Sequence, residues 1–434
     1  MTWGYGGRRL VAIAASAPGM PGQSRLQPRP DANGHAGAES AGHGRAGPQG
    51  RPLGESHGLL RAEARIDLDA VRTSTAELVR RAGGAEVMAV VKADGYGHGM
   101  LPCARAALDA GATWLGTSAL EEGLALRAAG IDVPILSWLA APGEPLATGV
   151  AAGIDLSASA GWMLDELAAA AREAGRPARV HLKADTGLHR AGALPDDWPG
   201  LVAAALRLQA AGEIEVVGLW SHFAWADAPG HPTIARQVQL FAEAVETAER
   251  AGARPQVRHL ANSAATLTLP AARFDVVRPG ISVYGLSPGP EVGGAGELGL
   301  MPAMTFRARV ALAKRVPGGS GVSYGHRYVT AADTTLALVP VGYADGVPRN
   351  AGNKAETLLG GRRRRIAGTV CMDQFVLDVG ADRVAAGDEV VLFGPGTAGE
   401  PTAQEWADEL GTISYEIVSR IGTRVPRTYV GQAA

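Results

Sequence analysis

The feature that most limits the possible folds of this chain is an alternation of two hydropathy patterns from about residue 62 onward. Short apolar runs rich in β-branched residues alternate with alanine- and leucine-rich stretches whose apolar residues recur at helical spacing. This alternation is typical of βα units and a parallel sheet. The predicted strands are 86–91, 113–117, 134–138, 154–158, 179–184, 214–220, 256–260 and 274–278. The predicted helices between them are 100–110, 119–129, 160–174, 199–211, 233–251 and 262–268.

Eight predicted strands match the strand number of a (β/α)8 barrel. We therefore predict an α/β chain with a TIM-type barrel followed by a C-terminal mainly-β domain. A doubly wound sheet is the alternative; the eight units and the lack of a GxGxxG motif after the first strand make it less favoured. After about Pro302 the pattern changes to β-runs separated by Gly/Pro turns, with short helices near 402–410 and 413–421. Those β-runs include Thr305–Ala313, Thr335–Val341, Arg365–Val379 and Glu389–Phe393.

The sequence divides into three predicted segments. Residues 1–58 are rich in glycine and proline and lack periodic apolar residues, so we predict a disordered low-complexity extension. Residues 59–302 form the predicted barrel domain, and residues 303–434 the predicted C-terminal β-domain. The apolar run after Arg8 and Arg9 is too short for the apolar region of a typical signal peptide, so secretion is disfavoured.

Composition excludes several classes of function. Lysine and arginine number 41 and aspartate and glutamate 43, giving a net charge of −2, which argues against a nucleic-acid-binding protein. The run Arg362–Arg365 is expected to be a solvated loop. No apolar run is long enough to span a membrane. Cys103 and Cys371 are too few for a disulfide scaffold and favour a cytoplasmic protein, and no metal-ligand spacing occurs, so no metal site is predicted.

Polar side chains are concentrated where the predicted barrel strands end. Barrel enzymes carry their chemistry at the C-terminal ends of the strands. We therefore expect these residues to face one mouth of the barrel, although a single strand-end lysine or arginine is more often a solvated rim residue. The residues are Lys92, Lys183, Arg190, His222, Asn262, Ser263 and Arg278.

Lys92 directly follows an apolar strand, where neighbouring groups desolvate its amine and lower its pKa. A free amine beside phosphate-binding groups suggests a Schiff base with pyridoxal 5'-phosphate. Backbone amides of Gly280 and Ile281, together with Ser263, are candidate phosphate donors. The phenol of Tyr96 could add another.

Ordered motifs along 62–430 resemble the alanine racemase family. They include 92–99, 183–190, 262–263, 277–285, 322–325, 342–346, 371–374 and 412–417. The resemblance implies a barrel and β-domain, pyridoxal 5'-phosphate as cofactor, and interconversion of L-alanine and D-alanine, which supplies D-alanine for peptidoglycan. It also implies a head-to-tail homodimer in which each barrel mouth is completed by the partner's β-domain.

The resemblance assigns a role to individual residues. Lys92 holds the cofactor and serves the D-alanine face, and Tyr324 serves the L-alanine face, tuned by His222. Arg278 faces the pyridine nitrogen, while Arg190 and the backbone N–H of Met372 bind the substrate carboxylate. Many members of the family carry a carbamylated lysine at the position of Lys183. For this chain, the carbamylated and the unmodified lysine are both possible interpretations. The remaining implied contacts or supports are Tyr343, Tyr415 and Asp373, with Tyr343 and Tyr415 as an inner gate.

Three other functions remain as alternatives. A racemase for serine or for many amino acids would share the chemistry, but the broad-specificity relatives tend to be exported and disulfide-bonded. A single-barrel pyridoxal phosphate carrier would lack the β-domain. A degenerate regulatory homologue is expected to have lost Lys92 or Tyr324, and both are present.

Overall fold

The computed structural model describes residues 60–431. The predicted disorder of residues 1–58 lies outside the described residues. The described strands are β1 (Ala62–Asp67), β2 (Glu86–Val90), β3 (Trp114–Thr117), β4 (Ile135–Ser137), β5 (Asp155–Ala158), β6 (Ala178–Lys183), β7 (Ile214–Trp220), β8 (Val257–His259), β9 (Val276–Val277), β10 (Met304–Arg309), β11 (Leu312–Val316), β12 (Gly321–Val322), β13 (Tyr328–Val329), β14 (Thr334–Val339), β15 (Glu356–Leu359), β16 (Arg362–Arg365), β17 (Phe375–Gly380), β18 (Glu389–Phe393) and β19 (Arg427–Val430).

The helices of the same part of the chain are mostly short. They are α1 (Leu68–Ala82), α2 (Lys92–Tyr96), α3 (Met100–Asp109), α4 (Leu120–Ala128), α5 (Leu146–Ala151), α6 (Gly161–Ala174), α7 (Trp198–Ala210), α8 (Pro232–Arg250), α9 (Ser263–Thr268), α10 (Ala403–Leu410) and α11 (Ser414–Ser419). Among the residues that the structure describes, no helix is long and apolar enough to cross a membrane.

Strands β2 to β9 form one parallel sheet of eight strands in the order β8-β7-β6-β5-β4-β3-β2-β9. Between β8 and β9 the sheet is nearly closed, because the backbone N–H of Asp275 donates to the carbonyl of Arg258 at 3.0 Å and that of Arg278 to the carbonyl of Ala261 at 2.8 Å. The predicted (β/α)8 barrel is confirmed, and the doubly wound alternative is wrong. All eight barrel strands overlap their predicted ranges.

Among the elements of the structure that were not predicted from the sequence are one strand and two helices. Strand β1 and helix α1 lie at residues where neither was predicted, as does helix α5. Strand β1 joins the C-terminal sheet, pairing antiparallel with β10 and parallel with β19. Ala62, Ala64 and Ile66 of β1 are buried, in alternation with more exposed residues. In the sequence this alternation amounts to three apolar residues among charged ones, which is too short a run to predict a strand.

The C-terminal half is mainly β-structure, as predicted. Strands β16-β15-β18-β10-β1-β19 form one sheet in that order, β11-β14-β17 form a second, and β12 pairs with β13. The predicted run Arg365–Val379 is wrong as one strand, since a loop over 366–374 separates β16 from β17. That loop includes Cys371 and Met372.

The arginine run forms strand β16 and not the solvated loop that we expected. Each of its four guanidinium groups lies within ion-pair distance of a carboxylate. Arg363 pairs with Glu405 at 2.7 Å and Arg365 with Glu356 at 3.9 Å, while Arg362 and Arg364 both pair with Asp382. This pairing neutralises the positive charge of the run locally.

Candidate active site

A cavity of about 450 Å³ opens at the carboxyl ends of the barrel strands. Every residue that the sequence placed at the strand ends lines it, together with Tyr96, Gly280, Ile281 and Tyr415. Trp138 and Trp220 also line it, and the sequence analysis had not singled them out. The full lining is Val90, Lys92, Tyr96, Ser118, Trp138, Leu139, Lys183, Arg190, Ala191, Trp220, His222, Asn262, Ser263, Arg278, Gly280, Ile281 and Tyr415.

The cavity is strongly cationic. Lys92, Lys183, Arg190 and Arg278 line it, and none of the described residues that line it is an aspartate or glutamate. Burial and then the charges of Arg278 and Arg190 lower the pKa of Lys183 to about 8, with Asp185 opposing them. Such a cavity is suited to ligands that carry negative charge, such as phosphate and carboxylate groups.

Lys92 follows the end of β2, and its amine is largely desolvated. Burial is the main cause that lowers the pKa of this amine, the charge of Arg190 adds to it, and Glu122 opposes both. The amine nitrogen lies 5.7 Å from the centre of the Trp138 ring. An amine with a lowered pKa is nucleophilic in its neutral form, as a Schiff-base lysine must be.

The four residues after Lys92 form a left-handed turn. Ala93, Asp94, Gly95 and Tyr96 have φ values of 53°, 50°, 61° and 53°. This conformation costs about 1–2 kcal/mol for each residue other than glycine. The backbone N–H of Ala93 donates to Glu122 Oε1 at 2.6 Å, which anchors the start of the turn. Strained backbone held in this way is typical of functional sites.

Gly280, Ser263 and Tyr96 add further polar groups to the lining of the cavity. The backbone N–H of Gly280 donates to Ser263 Oγ at 2.8 Å, which brings these two residues together at the start of the 3-10 turn Ile281–Tyr284. A Cβ atom at Gly280 would overlap the hydroxyl oxygen of Tyr96. Burial raises the pKa of the phenols of Tyr96 and Tyr415 above the usual range, so both remain donors at neutral pH.

Arg278 lies on the floor of the cavity and is buried. Its Nη1 donates to His259 Nδ1 at 2.9 Å, and its Nη2 donates to the carbonyl of Ser221 at 2.7 Å and to His222 Nδ1 at 3.4 Å. Arg278 thus contacts His222 directly. Burial lowers the pKa of Arg278 to about 9, so the guanidinium stays charged at neutral pH.

A chain of buried polar groups continues from Arg278 through the barrel interior. His259 Nε2 lies 2.8 Å from His181 Nδ1, and His181 Nε2 lies 3.1 Å from Asp155 Oδ2. Because Arg278 can only donate, His259 Nδ1 accepts and the proton of this ring lies on Nε2, which donates to His181 Nδ1. His181 in turn donates from Nε2 to the carboxylate of Asp155. The chain links the charged guanidinium to a buried carboxylate. The sequence analysis missed it because His181 lies within a predicted strand and His259 at the end of another.

Arg190 reaches the cavity from a loop that Asp185 organises. The Oδ1 atom of Asp185 accepts from the backbone N–H groups of Gly187, Leu188 and His189 at 2.9, 3.1 and 3.2 Å. These bonds hold the turn after β6, in which His189 has a φ of 53°.

The other predicted site residues do not line this cavity. The side chain of Tyr324 is 74% exposed and that of Met372 53% exposed, and Tyr343 is exposed as well. Asp373 pairs with Arg424 at 2.7 Å. The loop around Met372 and the turn around Tyr324 contact each other, because Thr369 Oγ1 donates to the carbonyl of Tyr324 at 2.8 Å. One chain thus provides two separate groups of predicted site residues.

The fold and the cavity are typical of an enzyme: a barrel with a C-terminal β-domain and a cation-rich site at the mouth of the barrel. The model of the alanine racemase N-terminal domain matches residues 66–288, and that of the C-terminal domain matches residues 303–429. The chain belongs to the alanine racemase family, and it is an isomerase.

Individual relatives agree with this assignment. The chain is 69% identical to the alanine racemase of Frankia casuarinae over 381 residues, which cover 88% of this chain and 98% of that protein. The crystal structure of alanine racemase from Streptomyces lavendulae superposes with a TM-score of 0.85 at 57% identity, covering 86% of this chain and 97% of that one. Alanine racemase from Bacillus anthracis with bound L-Ala-P gives a TM-score of 0.78 at 33% identity, covering 86% and 96%.

Proposed function

We propose that this protein interconverts L-alanine and D-alanine with pyridoxal 5'-phosphate, by a two-base mechanism that uses Lys92 and Tyr324. The observation that carries the proposal is the meeting of a desolvated lysine amine, a buried arginine and a cluster of anion donors in one cavity. The D-alanine would supply peptidoglycan synthesis. Both cysteines are free thiols, which supports a cytoplasmic location.

The residues present fit this cofactor. Lys92 would hold it covalently, while Ser263, the amides of Gly280 and Ile281 and the phenol of Tyr96 would bind its phosphate, with Tyr415 beside them and Asn262 supporting Ser263. Because Gly280 has no side chain, the phenol of Tyr96 can lie against these phosphate-binding groups. When bound, the cofactor makes the α-proton of alanine acidic.

Arg278 would contact the pyridine nitrogen of the cofactor. A guanidinium that stays charged donates a hydrogen bond without giving up its proton. The histidine chain behind Arg278 ends in Asp155. Burial raises the pKa of its carboxyl group, but the hydrogen bonds from His181 and Arg179 outweigh burial, and the pKa is lowered overall. The ionised carboxylate thus compensates part of the buried positive charge, and it holds Arg278 in place.

Racemisation requires a base on each side of the α-carbon. Lys92 would remove or return a proton on the D-alanine face, where its lowered pKa favours the neutral amine. Tyr324 would act on the other face. The buried imidazole of His222, whose pKa is lowered by burial and then by Arg278, stays neutral. Because its Nδ1 accepts from Arg278, its Nε2–H is suited to donate a hydrogen bond to the oxygen of a phenol.

The exposure of Tyr324 and Met372 supports a homodimer in which active sites are shared. Within one chain these residues lie outside the cavity that holds Lys92. A head-to-tail dimer would place the Tyr324 and Met372 of one protomer over the mouth of its partner, with Tyr343 and Asp373 as gate or support. Tyr415, which lines the cavity of its own chain, would form the other part of the gate. Symmetric dimers are the commonest oligomers.

Arg190 would bind the substrate carboxylate, assisted by the backbone N–H of Met372 from the second protomer. The charge-assisted hydrogen bonds of an arginine suit a carboxylate. The barrel domain (59–302) would bind the cofactor, and the β-domain (303–434) would complete the site. Racemisation of serine remains the alternative activity, since the same residues would carry out the same chemistry on it.

Chiral chromatography of the products tests this function. Incubated with pyridoxal 5'-phosphate and L-alanine, the purified protein is expected to produce D-alanine up to an equimolar mixture, and to act on L-serine much more slowly. Faster turnover of serine would assign the other substrate. A protein that binds the cofactor without racemising either amino acid would instead favour a carrier role.

Substituting Gly280 by alanine is expected to weaken cofactor binding. The added methyl group overlaps the hydroxyl of Tyr96, so the phenol must leave the phosphate cradle. Loss of one such contact corresponds to about a tenfold increase in the dissociation constant of pyridoxal 5'-phosphate. Titration followed by absorbance measures it, and Gly200→Ala, at a position with open space, is the matched control. Unchanged affinity in Gly280→Ala would contradict the cradle.

Lys183 is expected to react with carbon dioxide. With a pKa of about 8 its amine is partly neutral near neutral pH, and Arg278 and Arg190 would stabilise the resulting carbamate anion. In this step the amine nitrogen attacks carbon dioxide and releases one proton. A carbamate resonance in the 13C spectrum of protein supplied with 13C-bicarbonate, absent from Lys183→Met, is the expected result. Identical spectra for both proteins would show an unmodified lysine.

A further inference from the structure

The left-handed turn after Lys92 joins two groups whose spacing must be fixed. The amine of Lys92 and the phenol of Tyr96 both line the cavity, on either end of the turn. Three of its four residues are not glycine, although all four have a positive φ. L-residues rarely adopt this conformation, so interactions from outside the turn must hold it.

His98 supplies such an interaction from behind the turn. Its side chain is fully buried, and its Nδ1 lies 3.1 Å from the carbonyl oxygen of Gly95 and 3.0 Å from that of Tyr96. Carbonyl oxygens only accept hydrogen bonds, so Nδ1 carries the proton and donates to both. Among the described residues Nε2 has no hydrogen-bond partner. Burial lowers the pKa of His98 to about 4, so the ring is neutral at physiological pH.

The ring of His98 also connects the turn to the phosphate side of the cavity. It stacks on the ring of Tyr284, with 4.5 Å between centroids and 25° between planes. Tyr284 ends the 3-10 turn that begins at Ile281, and its hydroxyl donates to the carbonyl of Val90 at 3.1 Å. His98 and Tyr284 thus connect three segments behind the cavity: the end of β2, the left-handed turn, and the 3-10 turn Ile281–Tyr284.

We propose that His98 is a positioning residue for the cofactor. Its Nδ1–H holds the carbonyls of Gly95 and Tyr96 and thereby fixes the spacing between the amine of Lys92 and the phenol of Tyr96. His98 does not line the cavity and acts only through the turn. The inference rests on the proposed function, because that function assigns the cofactor contacts to Lys92 and Tyr96.

Three substitutions separate the hydrogen bond from simple packing. His98→Asn keeps an amide donor near the position of Nδ1, His98→Gln moves the amide toward the position of Nε2, and His98→Leu removes all polar atoms. We expect Leu and Gln to raise the dissociation constant of pyridoxal 5'-phosphate about tenfold or more, and Asn to stay within about threefold of wild type. Absorbance titration without substrate measures the constant, and the melting temperature of each apo-protein reports folding.

Two outcomes would overturn the proposal. One is a folded His98→Leu protein with wild-type cofactor affinity, and the other is a His98→Asn protein that binds as weakly as His98→Gln. If His98→Leu does not fold, the comparison of Asn with Gln decides alone, because both carry the same amide. Failure of the proposed function is a separate result: a wild-type protein that binds the cofactor but does not racemise alanine would leave these binding constants measurable.

Discussion

Replacing Lys92 by alanine is expected to abolish racemisation and the visible absorbance band of the bound cofactor together. The amine of Lys92, which is desolvated and lies at the end of β2 before the left-handed turn, is the group proposed to bond covalently to the cofactor. It is also the proposed base on the D-alanine face. Loss of both roles is expected to reduce kcat by about 10³-fold or more, since a positioned acid–base group alone contributes 10²–10⁴-fold.

Two controls accompany this substitution. Lys92→Arg keeps the positive charge but cannot form the covalent link, so it is expected to lose the band as Lys92→Ala does. Lys314→Ala removes an exposed lysine of β11 and is expected to change neither the spectrum nor kcat. An unaltered spectrum and rate in Lys92→Ala would assign the cofactor link to another residue.

Replacing Tyr324 by phenylalanine is expected to leave the cofactor bound while slowing racemisation by about 10²–10⁴-fold. The change removes only the hydroxyl that would act on the L-alanine face. Because Tyr324 is exposed and lies outside the cavity of its own chain, the expected defect is in catalysis and not in folding or cofactor retention. The absorbance spectrum and the initial rate in each direction measure the two effects. Full rates in both directions would contradict the two-base scheme.

Mixing the two variants tests whether the active site is shared. In a mixed dimer of Lys92→Ala and Tyr324→Phe protomers, one site would carry both substitutions and the other neither. Random exchange makes half of the dimers mixed, each with one intact site of two, so recovery of about a quarter of wild-type activity is expected. If Tyr324 acted within its own chain, the mixture would stay inactive.

The sequence predicted the barrel and its mouth because both depend on local patterns. Apolar strands and amphipathic helices alternate with a clear period, and a residue at the end of a parallel strand faces the same edge as its neighbours. Lys92, Lys183, His222 and Arg278 therefore line one cavity although they are distant in sequence.

Other features depend on contacts that no local pattern reveals. His181 and Asp155 lie on barrel strands and were assigned only to secondary structure, yet their side chains meet in the barrel interior. Strand β1 was missed because its pairing partners β10 and β19 are hundreds of residues away. The left-handed turn after Lys92 was missed because three of its residues are not glycine.

Proton NMR of L-alanine incubated with the purified protein in deuterated water, followed by chiral analysis, tests the proposed racemase activity most directly. The α-proton signal is expected to disappear while D-alanine forms. Exchange of the α-proton of L-alanine without inversion would keep Tyr324 as the base on the L-alanine face but remove Lys92 as the base on the D-alanine face. A cofactor-loaded protein that catalyses neither exchange nor inversion would contradict the proposed alanine racemase activity.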